Sequence, residues 1–178
     1  MKRFLLILII SSSTVSYGQV NYYEGKDTLH IGNEIYRIER YEDVFIYISN
    51  IKNTKKSDEI FYVDGTPVPE REVFYKIENN GDNAGLWRAA RETFTPEEIA
   101  SLYDERISIG YYVLPDGTVT DVKFTIPQKD IFYSIPPEKW ATLEKKIKKY
   151  EKFQLSGAEK YQFVAPGGGL RFKDVYTE

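Results

Sequence analysis

The 178-residue sequence contains no cysteine, which removes disulfides, thiol nucleophiles and lipidated cysteines together. It holds one histidine, His30, so zinc sites of the usual His/Cys kinds are excluded by count. A Ser-His-Asp triad would have to use His30, which falls in a predicted edge hairpin, where a surface histidine is the simpler reading. No excess of positive charge is present: 24 Lys and Arg stand against 27 Asp and Glu, a net charge of −3. That balance lacks the basic footprint of a nucleic-acid binder. Long hydrophobic runs are missing too. The longest, FLLILII over residues 4–10, is far short of the roughly 20 apolar residues that span a bilayer. The protein is therefore not expected to be integral to a membrane.

That short run has a different use. Lys2 and Arg3 precede it, a polar stretch SSSTVSYGQ follows it, and the small residues Ser16 and Gly18 stand two apart. This is the pattern of a cleavable secretory signal over residues 1–18, leaving Gln19 as the mature N-terminus. Loss of Lys2 and Arg3 makes the mature chain more acidic, at −5. The expectation is an exported protein, periplasmic or secreted. An exported chain of this size without cystines points to a bacterial source. About 160 mature residues suit one compact unit, read as an N-terminal α+β region over 19–105 and a C-terminal region over 106–178.

The pattern along the chain predicts an α+β fold: antiparallel sheets with a few packed helices. Residues 21–27 read as a loose polar arm. Residues 28–31 and 34–39 form a hairpin whose Gly32-Asn33 turn suits type II′. Residues 44–48 (VFIYI) are apolar on both faces and read as a central strand. Residues 49–59 are a charged loop, and 60–63 a strand ended by Asp64-Gly65. Residues 69–81 fit a strand by alternation and a helix by spacing; Pro69 at the start and Gly81 at the end favour the helix. A short helix over 84–91 carries Leu86 and Trp87. Thr95-Pro96-Glu97-Glu98 is a capping box with Phe94 and Ile99 as its staple, opening a helix to about Asp104.

The C-terminal region reads most clearly. Ile107, Ile109, Tyr111 and Val113 alternate, Pro115-Asp116-Gly117 turns the chain, and Val122, Phe124 and Ile126 return on one face. Val119 is out of phase, so a bulge is expected near Thr120 or Asp121. Pro136-Pro137 opens a helix with the stripe Trp140, Leu143, Ile147 and Tyr150; its lysines read as a solvated face. Residues 161–165 alternate again before Pro166 and three glycines. The glycine run lacks the Lys and Ser/Thr of a phosphate loop and reads as a flexible hairpin tip. The C-terminal part is thus strand-strand-helix-strand.

That order, with LPDGTVTDVKF over residues 114–124, resembles the C-terminal domain of TonB-like energy-transducing proteins over residues 106–164. The resemblance implies a three-stranded antiparallel sheet backed by one helix. It also implies that the sheet recruits an extended peptide by strand addition. The membrane anchor and long proline-rich spacer of a transducer have no counterpart here.

No catalytic residues, cofactor or metal are expected. Glu70/Glu72 and Glu97/Glu98 are close in sequence, yet neither pair sits in a predicted apolar pocket, and Glu98 has a capping role. The expected function is non-catalytic binding of an extended protein segment or an envelope component. The expected partner-binding edge is Tyr161, Gln162, Phe163 and Val164, unless residues 170–177 cover it as a further strand. The alternative is a small carboxylate-dependent hydrolase acting on envelope glycans, with two carboxylates in one pocket.

Overall fold

In the computed structural model, residues 20–53, 59–79 and 83–176 are described. The expected signal lies outside the described residues, as do 54–58 within the charged loop and 80–82. The elements run β1 (Thr28–Ile31), β2 (Glu34–Tyr41), β3 (Phe45–Asn50), β4 (Lys76–Ile77), α1 (Ala84–Arg91), α2 (Pro96–Ser101), β5 (Arg106–Val113), β6 (Val119–Pro127), α3 (Asp130–Tyr133), α4 (Pro137–Tyr150), β7 (Leu155–Ser156) and β8 (Gly167–Arg171).

Six strands form one antiparallel sheet in the order β1-β2-β3-β6-β5-β8. β4 and β7 form a separate two-stranded ribbon. The fold is α+β. The join between the N-terminal and C-terminal regions is the β3–β6 pairing, so strands from both halves share one sheet.

Each well-formed element has a local cause. Gly32 takes φ +58° at the first central position of the β1–β2 turn, as a type II′ turn needs. Gly117 takes φ +84°, and a Cβ there would stand 1.8 Å from the carbonyl oxygen of Phe153. The β5–β6 register slips between Tyr112 and Val113, which pair with Asp121 and Val119, so Thr120 is the bulged residue. The Thr95–Glu98 capping box is formed in both directions, and Phe94 and Ile99 are buried beside it. α2 stops at Ser101, three residues before the expected end.

The core lies between the sheet and α4. Ile46, Ile48, Ile107, Ile109, Phe124 and Ile126 face Trp140, Leu143 and Ile147, all of them buried. The Trp140 ring lies 5.5 Å from Phe124 and 6.2 Å from Phe94 between centroids.

Several expectations are corrected. The 21–27 arm is not loose: Tyr23 is 1% exposed. Its hydroxyl donates to the Ile135 carbonyl at 2.7 Å and accepts from the Trp140 indole at 2.6 Å. The strand around Phe45 is central but covered on one face only, since Phe45 is exposed and Tyr47 half-buried. Residues 60–63 make only isolated bridges, Phe61 to Pro67 and Tyr62 to Tyr161. Over residues 69–79, the described part of the helix expected over 69–81, there is instead a single 3₁₀ turn, Glu70–Glu72, followed by β4. A distant tyrosine decides this. The Tyr161 hydroxyl accepts the Phe74 amide at 2.8 Å and faces the Glu72 and Phe74 carbonyls at 3.2 Å each, so those groups are unavailable to a helix.

Candidate functional site

The four residues expected to form a binding edge do not present one. Tyr161, Phe163 and Val164 are buried, and Gln162 is half-buried. The Gln162 amide donates to Phe61 O at 2.8 Å, and Val164 exchanges both main-chain bonds with Val113, at 2.8 and 2.9 Å. This stretch is already paired, with residues 60–62 on one side and the end of β5 on the other. The described part of 170–177, residues 170–176, is not what covers it.

The glycine run is the sheet edge itself rather than a hairpin tip. β8 pairs with β5 in the register Ile109 to Gly168 and Ile107 to Leu170. Just outside the strand, the Tyr111 amide donates to Pro166 O at 3.0 Å and the Phe172 amide donates to Glu105 O at 3.2 Å. In an antiparallel ladder the bonded pairs alternate. Residues 166, 168, 170 and 172 therefore bond inward, and Gly167, Gly169 and Arg171 turn their N–H and C=O groups outward. β8 is the last strand of the sheet on this side.

The three glycines are not equivalent. A Cβ on Gly168 would stand 2.8 Å from the Tyr111 ring, and one on Gly169 would stand 3.4 Å from the Ile107 carbonyl oxygen. Around Gly167 nothing lies within 4 Å of where a Cβ would be. Packing accounts for Gly168; a Cβ on Gly169 would make only an ordinary contact, and one on Gly167 none.

Two cavities flank this edge and share Tyr111 and Gly167. On the sheet face away from α4, a cavity of about 1060 Å³ is walled by Ile60, Val68, Val73, Tyr75 and Tyr112. On the other face, a slot of about 480 Å³ is lined by Asn79, Trp87, Tyr111, Glu151, Arg171 and Asp174. Tyr111 packs on Phe153 with centroids 5.1 Å apart. Burial, and then the charge of Glu151, push its hydroxyl far above the usual tyrosine range. Glu151 itself is buried against the first turn of α1, since a Cβ on Gly85 would stand 2.7 Å from its Oε2. A negative charge is favoured there by the helix dipole.

A second polar centre lies between α4 and the ends of β2 and β3. A cavity of about 990 Å³ is lined by Tyr36, Asn50, Asp121, Glu144, Lys145 and Lys148, among others. Glu144 is 3% exposed. It accepts the Tyr36 hydroxyl at 2.6 Å and is ion-paired with Lys148 at 2.5 Å. Burial first, and the Glu144 charge second, push the Tyr36 hydroxyl well above its ordinary range.

The sequence reading missed these buried acids. Glu144 was detectable: it stands four residues after Trp140 and three before Ile147, on the apolar stripe of α4. The acid pairs singled out from the sequence lie elsewhere. Glu70 and Glu72 are exposed on the 3₁₀ turn, and Glu98 serves the capping box and takes Lys139 at 2.8 Å. His30 is exposed on β1. Among the described residues, no group of three or more His, Asp or Glu side chains is placed to hold a metal ion. Nor is any helix there long and apolar enough to cross a membrane.

No family model matches the chain, and no curated protein sequence does. Its fold is similar to that of a DUF5043 family protein from Bacteroides uniformis ATCC 8492. The two superpose with a TM-score of 0.69 over 86% of this chain and 95% of that one. At 16% identity the likeness concerns the fold alone.

Proposed function

We propose that this is an exported, non-catalytic binding protein that holds an extended polypeptide segment along the outer edge of β8. One observation carries the reading. At the uncovered end of a six-stranded sheet, Gly167, Gly169 and Arg171 turn their main-chain groups outward, and no side chain crowds Gly167. Edge strands are usually blunted by proline, bulges or lysine. β8 has one charged residue, Arg171 at its far end, and Pro166 just before it; its first three residues carry none of these, and glycine lets a second backbone approach closely. Strand addition draws its affinity from main-chain bonds.

The test is a substitution that removes one outward donor and leaves the inner ladder intact. Gly167→Pro deletes an N–H that β5 does not use, in open space. Peptides selected from a displayed library of random short sequences should bind the native protein and lose about tenfold or more in affinity to Gly167→Pro. Unchanged binding by the variant would contradict pairing at β8.

One observation favours a second reading. Asp121 and Glu144 are both buried and line the same cavity, the arrangement a carboxylate-dependent hydrolase of envelope glycans would use. Against it, Glu144 is engaged by Tyr36 and Lys148. Release of soluble sugar from isolated cell-wall glycan, abolished by Asp121→Asn, would establish hydrolysis. No release from the native protein would exclude it for that substrate.

A further inference from the structure

Of the four buried tyrosines among the described residues, three have engaged hydroxyls. Tyr23 bonds Ile135 and Trp140, Tyr36 bonds Glu144, and Tyr161 bonds the main chain at Phe74. Tyr111 is the exception. It is 3% exposed, yet no donor or acceptor among the described residues meets its hydroxyl. Burial, and then the Glu151 charge, keep that hydroxyl protonated, so it can both donate and accept. Buried polar groups are nearly always hydrogen-bonded, and one without a partner asks for an explanation. The position supplies one. Tyr111 packs on Phe153 at the slot of about 480 Å³, and glycine at position 168 makes room for the hydroxyl, since a Cβ there would stand 3.3 Å from its oxygen. Small-molecule sites run from roughly 300 to 1,000 Å³, and the slot falls within that range.

The slot holds charges of both signs: Glu151 and Asp174, with Arg171 held to Asp174 at 2.6 Å. An ion of either sign would meet a like charge there. A neutral ligand bearing hydroxyls meets none, because each hydroxyl can donate to a carboxylate or accept from the guanidinium. The half-buried Trp87 and Phe153 add aromatic surface. An aromatic ring takes the C–H face of a sugar ring, while the hydroxyls at the sugar's rim reach the polar groups around it. We propose that the slot beside Tyr111 binds a neutral hexopyranose sugar. The Tyr111 hydroxyl, the Glu151 and Asp174 carboxylates and the Arg171 guanidinium share the sugar hydroxyls, and Trp87 and Phe153 take its C–H face. The site is separate from strand pairing along the outer edge of β8 and does not depend on it.

The test is an NMR titration of the native protein and of Tyr111→Phe with glucose, galactose, mannose and N-acetylglucosamine, and with sodium acetate and methylammonium chloride for comparison. The protein has two tryptophans, hence two indole N–H signals. At least one sugar should shift the Trp87 signal saturably. It should leave the Trp140 signal in place, since that indole is fully buried and bonded to Tyr23. Tyr111→Phe removes a hydroxyl that has no partner among the described residues, so its melting temperature should be unchanged, while its affinity for the sugar falls about tenfold. No saturable shift with any of the four sugars would overturn the proposal, as would equal affinity in Tyr111→Phe. A lower melting temperature for that variant would overturn it too, by showing that the hydroxyl is bonded within the protein. Acetate or methylammonium shifting Trp87 as strongly as the sugars would mean an ion site instead. None of these results bears on the Gly167→Pro test of strand pairing.

Discussion

Gly167 and Gly168 are neighbours with opposite reasons for being glycine. Gly168 is demanded by Tyr111, whose ring lies 2.8 Å from where its Cβ would be. Gly168→Ala should therefore destabilise the protein by about 1–3 kcal/mol in urea melts, as overpacking does. Gly167→Ala, in open space, should change stability by no more than about 0.5 kcal/mol. Equal losses at both positions would mean that Gly167 has a packing role. Tyr36 makes a second residue-level test. Its hydroxyl is a donor to the buried Glu144, so Tyr36→Phe should cost about 1.5–3 kcal/mol, the usual range for a bond to a charged group. A loss too small to measure would show that Lys148 alone suffices for Glu144. Neither effect was legible in the sequence. Three consecutive glycines look alike until a tyrosine from another strand distinguishes them.

The elements with complete local signals were readable: the β1–β2 hairpin from Gly32, α2 from its capping box, and α4 from its apolar stripe. Leu143→Ala, at a fully buried point of that stripe, should cost about 2–5 kcal/mol in denaturant melts. Elements that depend on remote partners were misread. Residues 69–81 have helical spacing, but Tyr161 holds the main chain at Phe74 and β7 claims Lys76 and Ile77. The stretch 161–165 alternates like an edge strand, yet its bonds go inward to Phe61 and Val113. The contact between α1 and α4 adds a pH-dependent term. Glu92, just after α1, accepts from Lys146 and Tyr150 on α4, and these bonds hold its carboxyl down at about 2. A depressed folded value stabilises the native state above the ordinary carboxylate range, and that gain is lost as pH falls toward 2. The stability difference between the native protein and Glu92→Gln should thus be present at pH 7 and vanish near pH 2 in acid titrations. A difference that persists unchanged at pH 2 would point to packing instead.

At the scale of the whole molecule, the sheet is assembled from both halves of the chain, with β3–β6 as the seam and β1 and β8 as its two ends. The class of fold was legible from alternation and capping; the position of the open end was not. It depends on which of two C-terminal stretches, 161–164 or 167–171, takes the place beside β5 through its length. The proposed export has its own check: mass spectrometry of secreted material should give a chain beginning at or near Gln19, and retention of residues 1–18 would contradict it. The claim on which the function rests is that the outer edge of β8 is open. Amide hydrogen exchange followed by NMR measures this residue by residue. Gly168 and Leu170, bonded inward to β5, should be protected. Gly167, Gly169 and Arg171 should exchange nearly as fast as free peptide amides. Equal protection across all five residues would mean that the edge is already covered, and would contradict the account.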